Sequence, residues 1–184
     1  PLAVIYTETP ANPTNIMVDL EACVKVANII GEETGNRPVV MADNTMLGPI
    51  GQIPSKLGVD VVLYSLTKYV GGHSDLVAGA ALGSSEHMAP IRSLRTYLGT
   101  TPDPHTCWLL MRSIETLKLR MERAFSNAQK VADFLQAHPK VTTVRFPDLL
   151  PEGSEQRRVY ERQCTGPGST FSFDVEGGKA AAFR

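Results

Sequence analysis

The chain has 184 residues, 42% of them hydrophobic and 20% charged, with a formal net charge of -1. That composition belongs to a globular protein long enough for one domain and part of a second, not to a disordered or fibrous chain. The near-neutral balance and the lack of a basic block give no electrostatic reason to expect nucleic acid or an anionic membrane as partner. No apolar run approaches the roughly 20 residues that cross a bilayer.

Cys23, Cys107 and Cys164 are few, odd in number and far apart. They show neither a disulfide framework nor metal-ligand spacing, which fits a reducing cytoplasm. Pro1-Leu2-Ala3-Val4-Ile5-Tyr6 has no basic region and no small-residue cleavage site, so no signal peptide is expected. Both ends look cut, because the chain enters a strand-like segment at once and stops at Ala180-Ala181-Ala182-Phe183-Arg184 inside a nascent helix. A fragment of a larger protein is the expectation.

In chain order, Leu2 to Thr7 is a β-branched and aromatic run that predicts a buried strand. Glu8-Thr9-Pro10-Ala11-Asn12-Pro13-Thr14 carries two prolines and marks a shaped loop. From Val18 to about Glu33 the apolar residues Leu20, Val24, Ala27 and Ile30 recur every three or four positions, so an amphipathic helix is predicted. Asp19 suits the positive end of its dipole. Pro38 to Ala42 is the next strand, with Asp43-Asn44-Thr45 at its carboxyl end. Gly48-Pro49 turns the chain, a short helical piece covers Ile53 to Leu57, and a third strand runs from Val59 to Tyr64. This alternation predicts an α/β fold with a mostly parallel sheet covered by helices.

After the loop Ser65-Leu66-Thr67-Lys68-Tyr69-Val70-Gly71-Gly72-His73-Ser74-Asp75, the small apolar run Leu76 to Gly83 predicts another buried strand, and Met88 to Leu98 a helix. Asp103 is a candidate N-cap ahead of Pro104. From there Leu110, Ile114, Leu117, Met121, Phe125, Ala128, Ala132 and Leu135 predict one long helix to His138-Pro139, suited to bridging two domains. Val141 to Phe146 and Thr170 to Val175 are strands on either side of a charged helix from Ser154 to Arg162. The domain boundary is placed near Thr100 to Pro104, dividing residues 1–100 from 101–184. No internal repeat or low-complexity segment is present.

Asp43 and Lys68 each follow a strand of one sheet, where open α/β folds bind ligands. A carboxylate and an amine so placed can be a salt bridge or two unrelated surface charges. Ser65 and Thr67 stand two apart, so in extended chain both hydroxyls point away from Lys68. Two hydroxyls beside an amine suit a phosphate monoester that carries an aldehyde, which describes pyridoxal phosphate. Lysine condenses with the aldehyde, hydroxyls hold the phosphate, and a carboxylate keeps the pyridine nitrogen protonated so that the ring can absorb carbanion electrons. His73 and Asp75 are too few for a zinc site and read as structural. Gly71-Gly72 reads as a turn close to the cofactor, and Trp108 as packing.

The stretch Val39 to Thr45 followed by Ser65 to Asp75 resembles the pyridoxal-phosphate enzymes of cysteine and methionine metabolism. These include cystathionine γ-synthase, cystathionine β- and γ-lyases, methionine γ-lyase and homoserine sulfhydrylases. Glu8 to Thr14 is similar to the family's loop near the cofactor ring, and Leu110 to Leu117 with Arg120-Met121 to its interdomain helix. The resemblance implies a fold-type I transferase fold: the second half of the large cofactor domain at 1–100, and the interdomain helix with a truncated small domain at 101–184. It implies that Lys68 forms the cofactor Schiff base and moves protons, that Asp43 pairs with the ring nitrogen, and that Ser65 and Thr67 bind phosphate. Asn12 would lie near the ring's 3-hydroxyl.

The implied reaction is γ-elimination or γ-replacement on a methionine- or homoserine-type amino acid. Homoserine sulfhydrylase or cystathionine β-lyase activity, an aminotransferase, or a non-catalytic fragment stand as alternatives. The resemblance also implies a cytoplasmic homotetramer built of two dimers. It places the ring-stacking aromatic, the phosphate-binding glycine turn and the tyrosine and arginine that enter the neighbouring site upstream of Pro1. The substrate-carboxylate arginine would lie downstream of Arg184.

Overall fold

The computed structural model describes residues 2–183. Strand β1 (Val4–Glu8) leads through the proline loop into helix α1 (Leu20–Thr34), and β2 (Val39–Asp43) lies parallel to β1. One helical turn, α2 (Gly48–Gly51), and a 3-10 turn at Pro54–Leu57 return the chain to β3 (Val61–Ser65), parallel to β2. β4 (Gly79–Gly83) then runs back antiparallel to β3, and the sheet order is β1-β2-β3-β4. The predicted α/β sheet is present. The direction of β4 is new, because an apolar run carries no information about which way its strand points.

Local chemistry explains α1. The Asp19 carboxylate accepts from the Ala22 N–H at 3.0 Å and caps the helix, and Gly35, at φ 73°, closes it in a left-handed turn. Its stripe of Leu20, Val24 and Ala27 covers Val40, Ala42 and Val62, with Ile5 and Tyr64 at the margin. Leu20, Ala27, Val40 and Ala42 are fully buried, at 0% exposure. Burying a leucine-sized side chain contributes about 1.5–3 kcal/mol, so this layer anchors the sheet.

The strand register then decides the opposite face. Tyr6 pairs with Met41, Glu8 with Asp43, and Asp43 with Leu63, so these side chains share the face that α1 does not cover. Helix α3 (Ser85–Leu98), capped by the Ser84 hydroxyl, packs on the β3–β4 end of that face and leaves a cavity toward Val4, Val39 and Met41. Val61 beneath it is 2% exposed, whereas Val4 on β1 is 43% exposed.

The predicted single long helix is two. Helix α4 (Pro104–Ile114), capped by Asp103 through the N–H groups of His105 and Thr106, stops before α5 (Leu117–Gln136). At the break the Ser113 carbonyl accepts from the Thr116 N–H at 3.4 Å and from the Arg120 guanidinium at 2.8 Å. The apolar period runs on through the break because Leu110, Leu117 and Met121 still join one cluster. Trp108 is not packed as expected: it is 54% exposed, stacked on His105 and approached by Arg112.

Beyond α5, β5 (Val141–Arg145) pairs antiparallel with β6 (Ser172–Val175), and helices α6 (Glu155–Gln163) and α7 (Gly178–Ala182) complete the fold. Ala128 and Ala132 of α5 pack on Phe146, which meets Phe171 edge-on at 6.4 Å. Helix α6 ties this part to the start of α1. The Gln163 amide accepts from Leu20 N–H and donates to the Val18 carbonyl, and Arg162 pairs with Asp19 and Glu21 at 2.6 Å each. No helix among the described residues is long and apolar enough to cross a membrane.

Candidate active site

Asp43 is the last residue of β2, and its side chain projects onto the face away from α1. One carboxylate oxygen accepts from the Thr45 N–H at 2.9 Å, and the Thr45 hydroxyl accepts from the Ser65 N–H at 2.7 Å. Thr45 therefore ties the end of β2 to the end of β3 and fixes Asp43 relative to Ser65. Asn44 braces the same corner from the covered side, donating to the Gly48 and Gln52 carbonyls and to the Tyr64 hydroxyl, each at 3.0 Å. Both residues support Asp43 as a strand-end carboxylate. Tyr6 stands on the same face. Its partial burial, then the nearby Asp43 and Glu8 carboxylates, push its phenol above the ordinary tyrosine value.

Lys68 lies three residues past the end of β3, exposed, and makes no ion pair among the described residues. The salt-bridge reading of Asp43 with Lys68 is therefore not realised. Lys68, Thr67 and Asn12 share the wall of a cavity of about 680 Å³, together with Tyr69, Arg120 and Thr170. Asp43 and Ser65 are not on that wall; they stand on the sheet face beside it.

The two hydroxyls differ. Ser65 makes no side-chain hydrogen bond among the described residues and is free to donate to an anion. Thr67 donates to the Ala78 carbonyl at 3.2 Å and accepts from the Ala78 N–H at 3.0 Å, which staples the loop across its base. For Thr67 to hold a phosphate, its proton must leave Ala78. Asn12 reaches the cavity on a loop tied by its N–H to the Glu8 carboxylate at 3.2 Å. His73 turns its ring to the Gly71 carbonyl at 2.8 Å, and no cluster of three metal-capable side chains occurs among the described residues.

Sequence reasoning gave no individual role to two residues. The Tyr69 hydroxyl meets Ser169 at 2.8 Å and Thr170 at 3.0 Å, joining the Lys68 loop to the chain just before β6. Arg120 on α5 donates to the Tyr69 and Val70 carbonyls at 2.6 and 3.1 Å. No local pattern signals either, since both contacts span at least 50 residues. Gly71-Gly72 also makes room within the protein: a Cβ on Gly72 would stand 2.1 Å from the Arg120 guanidinium, and one on Gly71 2.9 Å from the Leu66 carbonyl.

These groups suit a phosphorylated aromatic aldehyde. An unpaired amine, a hydroxyl without a protein partner and a tethered carboxylate with an oxygen to spare meet beside a cavity of the usual small-molecule size.

The chain matches the profile of the Cys/Met metabolism PLP-dependent enzymes over residues 2–184. It is 42% identical over 182 residues to an L-methionine gamma-lyase of Pseudomonas deceptionensis, covering 98% of this chain and 44% of that protein. With the cystathionine gamma-lyase of Sus scrofa it shares 38% over 174 residues, 94% of this chain and 41% of that one. A solved cystathionine gamma synthase from Xanthomonas oryzae pv. oryzae, in complex with aminoacrylate and cysteine, superposes with a TM-score of 0.89 at 34% identity. That superposition takes in 98% of this chain and 45% of the solved one. The chain thus spans less than half the length of the relatives it matches.

Proposed function

The chain belongs to the Cys/Met metabolism PLP-dependent enzymes, and from that premise we propose that it carries the lysine side of a carbon–sulfur lyase or γ-synthase site. The observation that carries the reading is the Asp43–Thr45–Ser65 tie placed three residues ahead of an unpaired lysine. Lys68 would hold the cofactor through Nζ and, when released, accept and return protons at that atom. Asp43 would accept a hydrogen bond from the protonated ring nitrogen on the oxygen that Thr45 leaves free, and Ser65 would donate to the phosphate. Thr67 would join Ser65 once its proton turns from Ala78, and Asn12 would lie near the ring's 3-hydroxyl. Pyridoxal phosphate, when bound, supplies an aldehyde for amines and a ring that absorbs carbanion electrons.

The substrate class is a sulfur amino acid of methionine or homoserine type, with γ-elimination or γ-replacement as the reaction. The names of the relatives, both lyases and a synthase, support that class. Homoserine sulfhydrylase and cystathionine β-lyase activities are the neighbouring outcomes. Residues 1–100 form part of the cofactor domain and 101–184 open the second domain, in a cytoplasmic assembly of two dimers. A second reading, a fold fragment that does not catalyse, is favoured by one observation: Asp43 and Ser65 stand off the wall of the Lys68 cavity.

Borohydride separates the two. Protein incubated with pyridoxal phosphate should turn yellow and, after reduction, carry the label on Lys68. Lys68→Ala should abolish both. A colourless solution with no label on Lys68 leaves the fragment reading standing. Release of a thiol and ammonia from methionine, scored against cystathionine and an acyl homoserine with sulfide, then assigns the reaction.

A further inference from the structure

On the reading of Lys68 as the cofactor-holding amine, we propose that Arg120 is a positioning residue that holds the Lys68 loop in its working shape. The guanidinium is half-buried and makes no ion pair with a carboxylate among the described residues. It is held by oxygens of neutral groups instead. Nη1 donates to the Tyr69 carbonyl at 2.6 Å, and Nη2 to the carbonyls of Val70 at 3.1 Å and Ser113 at 2.8 Å. Nε donates to the Thr116 hydroxyl at 3.2 Å. One planar fork thus grips two consecutive peptides of the loop and fastens them to the α4–α5 break.

Those two carbonyls belong to the two residues that follow Lys68. The Lys68 carbonyl accepts from the Gly72 N–H at 2.7 Å, and its own N–H donates to the Ser65 carbonyl at 3.2 Å. The lysine backbone is therefore one link of a tight turn whose far side is fixed by Arg120. Gly72 carries the second, independent observation. It has φ 78°, a conformation that favours glycine, and any Cβ there would collide with Nη1 at 2.1 Å. The loop is shaped around the guanidinium.

A lysine at position 120 would keep the charge but not the function. A single ammonium cannot present parallel donors to two peptides and a helix end together, whereas arginine's fork does so with little ordering cost. An alternative role, stapling α4 to α5 alone, uses only the Ser113 and Thr116 contacts and leaves the loop indifferent to Arg120.

The test compares the unsubstituted protein with Arg120→Met, Arg120→Lys and Gly72→Ala. Amide exchange of the peptide covering residues 66–72 is read without cofactor, and borohydride labelling of Lys68 is read with pyridoxal phosphate. Arg120→Met should speed loop exchange and slow Lys68 labelling by about tenfold or more, since small misplacements of a reacting group cost factors of that order. Gly72→Ala, which leaves the arginine and the helix break in place, should do the same, and Arg120→Lys should not restore either readout. Full recovery in Arg120→Lys overturns the proposal, because charge alone would then suffice. So does faster exchange confined to residues 113–117 with loop exchange and labelling unchanged. If the unsubstituted protein takes no label on Lys68, the cofactor reading fails instead, and loop exchange still decides whether Arg120 holds the turn.

Discussion

The two faces of the four-stranded sheet are built by the same strands and serve opposite ends. On one, Val40, Ala42 and Val62 lie under α1, and Asp19 caps the covering helix. On the other, Tyr6 is 58% exposed and Asp43 and Ser65 follow it in register toward the Lys68 loop. The covered face stabilises and sets the register; the open face uses that register to place polar groups. A slip of one residue would exchange the two sets, so packing under α1 is what holds Asp43 on the face toward the Lys68 loop.

The contrast breaks most visibly at Ala42. Ala42→Asp puts an unpaired carboxylate under α1 and should cost about 3–5 kcal/mol in urea unfolding, while Val4→Thr on the open face should stay within about 0.5 kcal/mol. Equal losses would remove the distinction. Asp43→Asn works the other way. It should leave the unfolding midpoint nearly unchanged and weaken pyridoxal phosphate binding by about 10- to 100-fold, the loss of one charge-assisted hydrogen bond of about 1.5–3 kcal/mol. Titration of the cofactor's visible band measures it, and unchanged affinity would take Asp43 out of the site.

Thr45→Val joins the two faces, because it strips the Ser65 N–H of its acceptor without touching the Asp43 carboxylate. A stability loss of about 1–2 kcal/mol together with weaker cofactor binding is expected; stability loss alone would confine Thr45 to the scaffold.

The smallest effect is acidic. Burial alone would raise the Asp19 carboxyl, but hydrogen bonds from Arg162 and from its own helix outweigh it and hold the group below its ordinary value of 3.8. A carboxyl so depressed contributes stability that is complete above the unfolded value and is lost as pH falls through the folded one. The window therefore lies below about pH 4. Since both partners are partly exposed, Asp19→Asn should flatten the acid limb by less than about 1 kcal/mol. An unchanged acid limb would show the pair to be idle.

Much of this was readable beforehand, for physical reasons that also mark where reading stopped. Leu20, Val24 and Ala27 announce a helix because burial on one side imposes a period on the chain itself. Asp43 and Lys68 announce a strand-end site because strand ends are local events. The α4–α5 break was hidden because Ile114 keeps the apolar period while Arg120, a long-range donor, stabilises the interruption. The direction of β4 and the grip of Arg120 on Tyr69 lie in pairings that no window of sequence contains. The residue pattern marks Thr67 as a phosphate ligand, while its tie to Ala78 depends on where β4 returns.

That return of β4 also bears on the order in which the chain assembles. Ser65 meets Gly79 across a loop of thirteen residues, 66–78, whereas β1 finds β2 at Val4 and Val39 only after α1 has been traversed. Closing the longer span costs roughly 0.6–1 kcal/mol more chain entropy, so the β3–β4 hairpin, and the Lys68 loop within it, is expected to form before β1 docks. Substitutions at Leu63 or Ala81 should then slow folding, and those at Ile5 should mainly quicken unfolding. The Lys68 turn would thus be among the earliest parts of the chain to take shape, with the strand beside Asp43 arriving later.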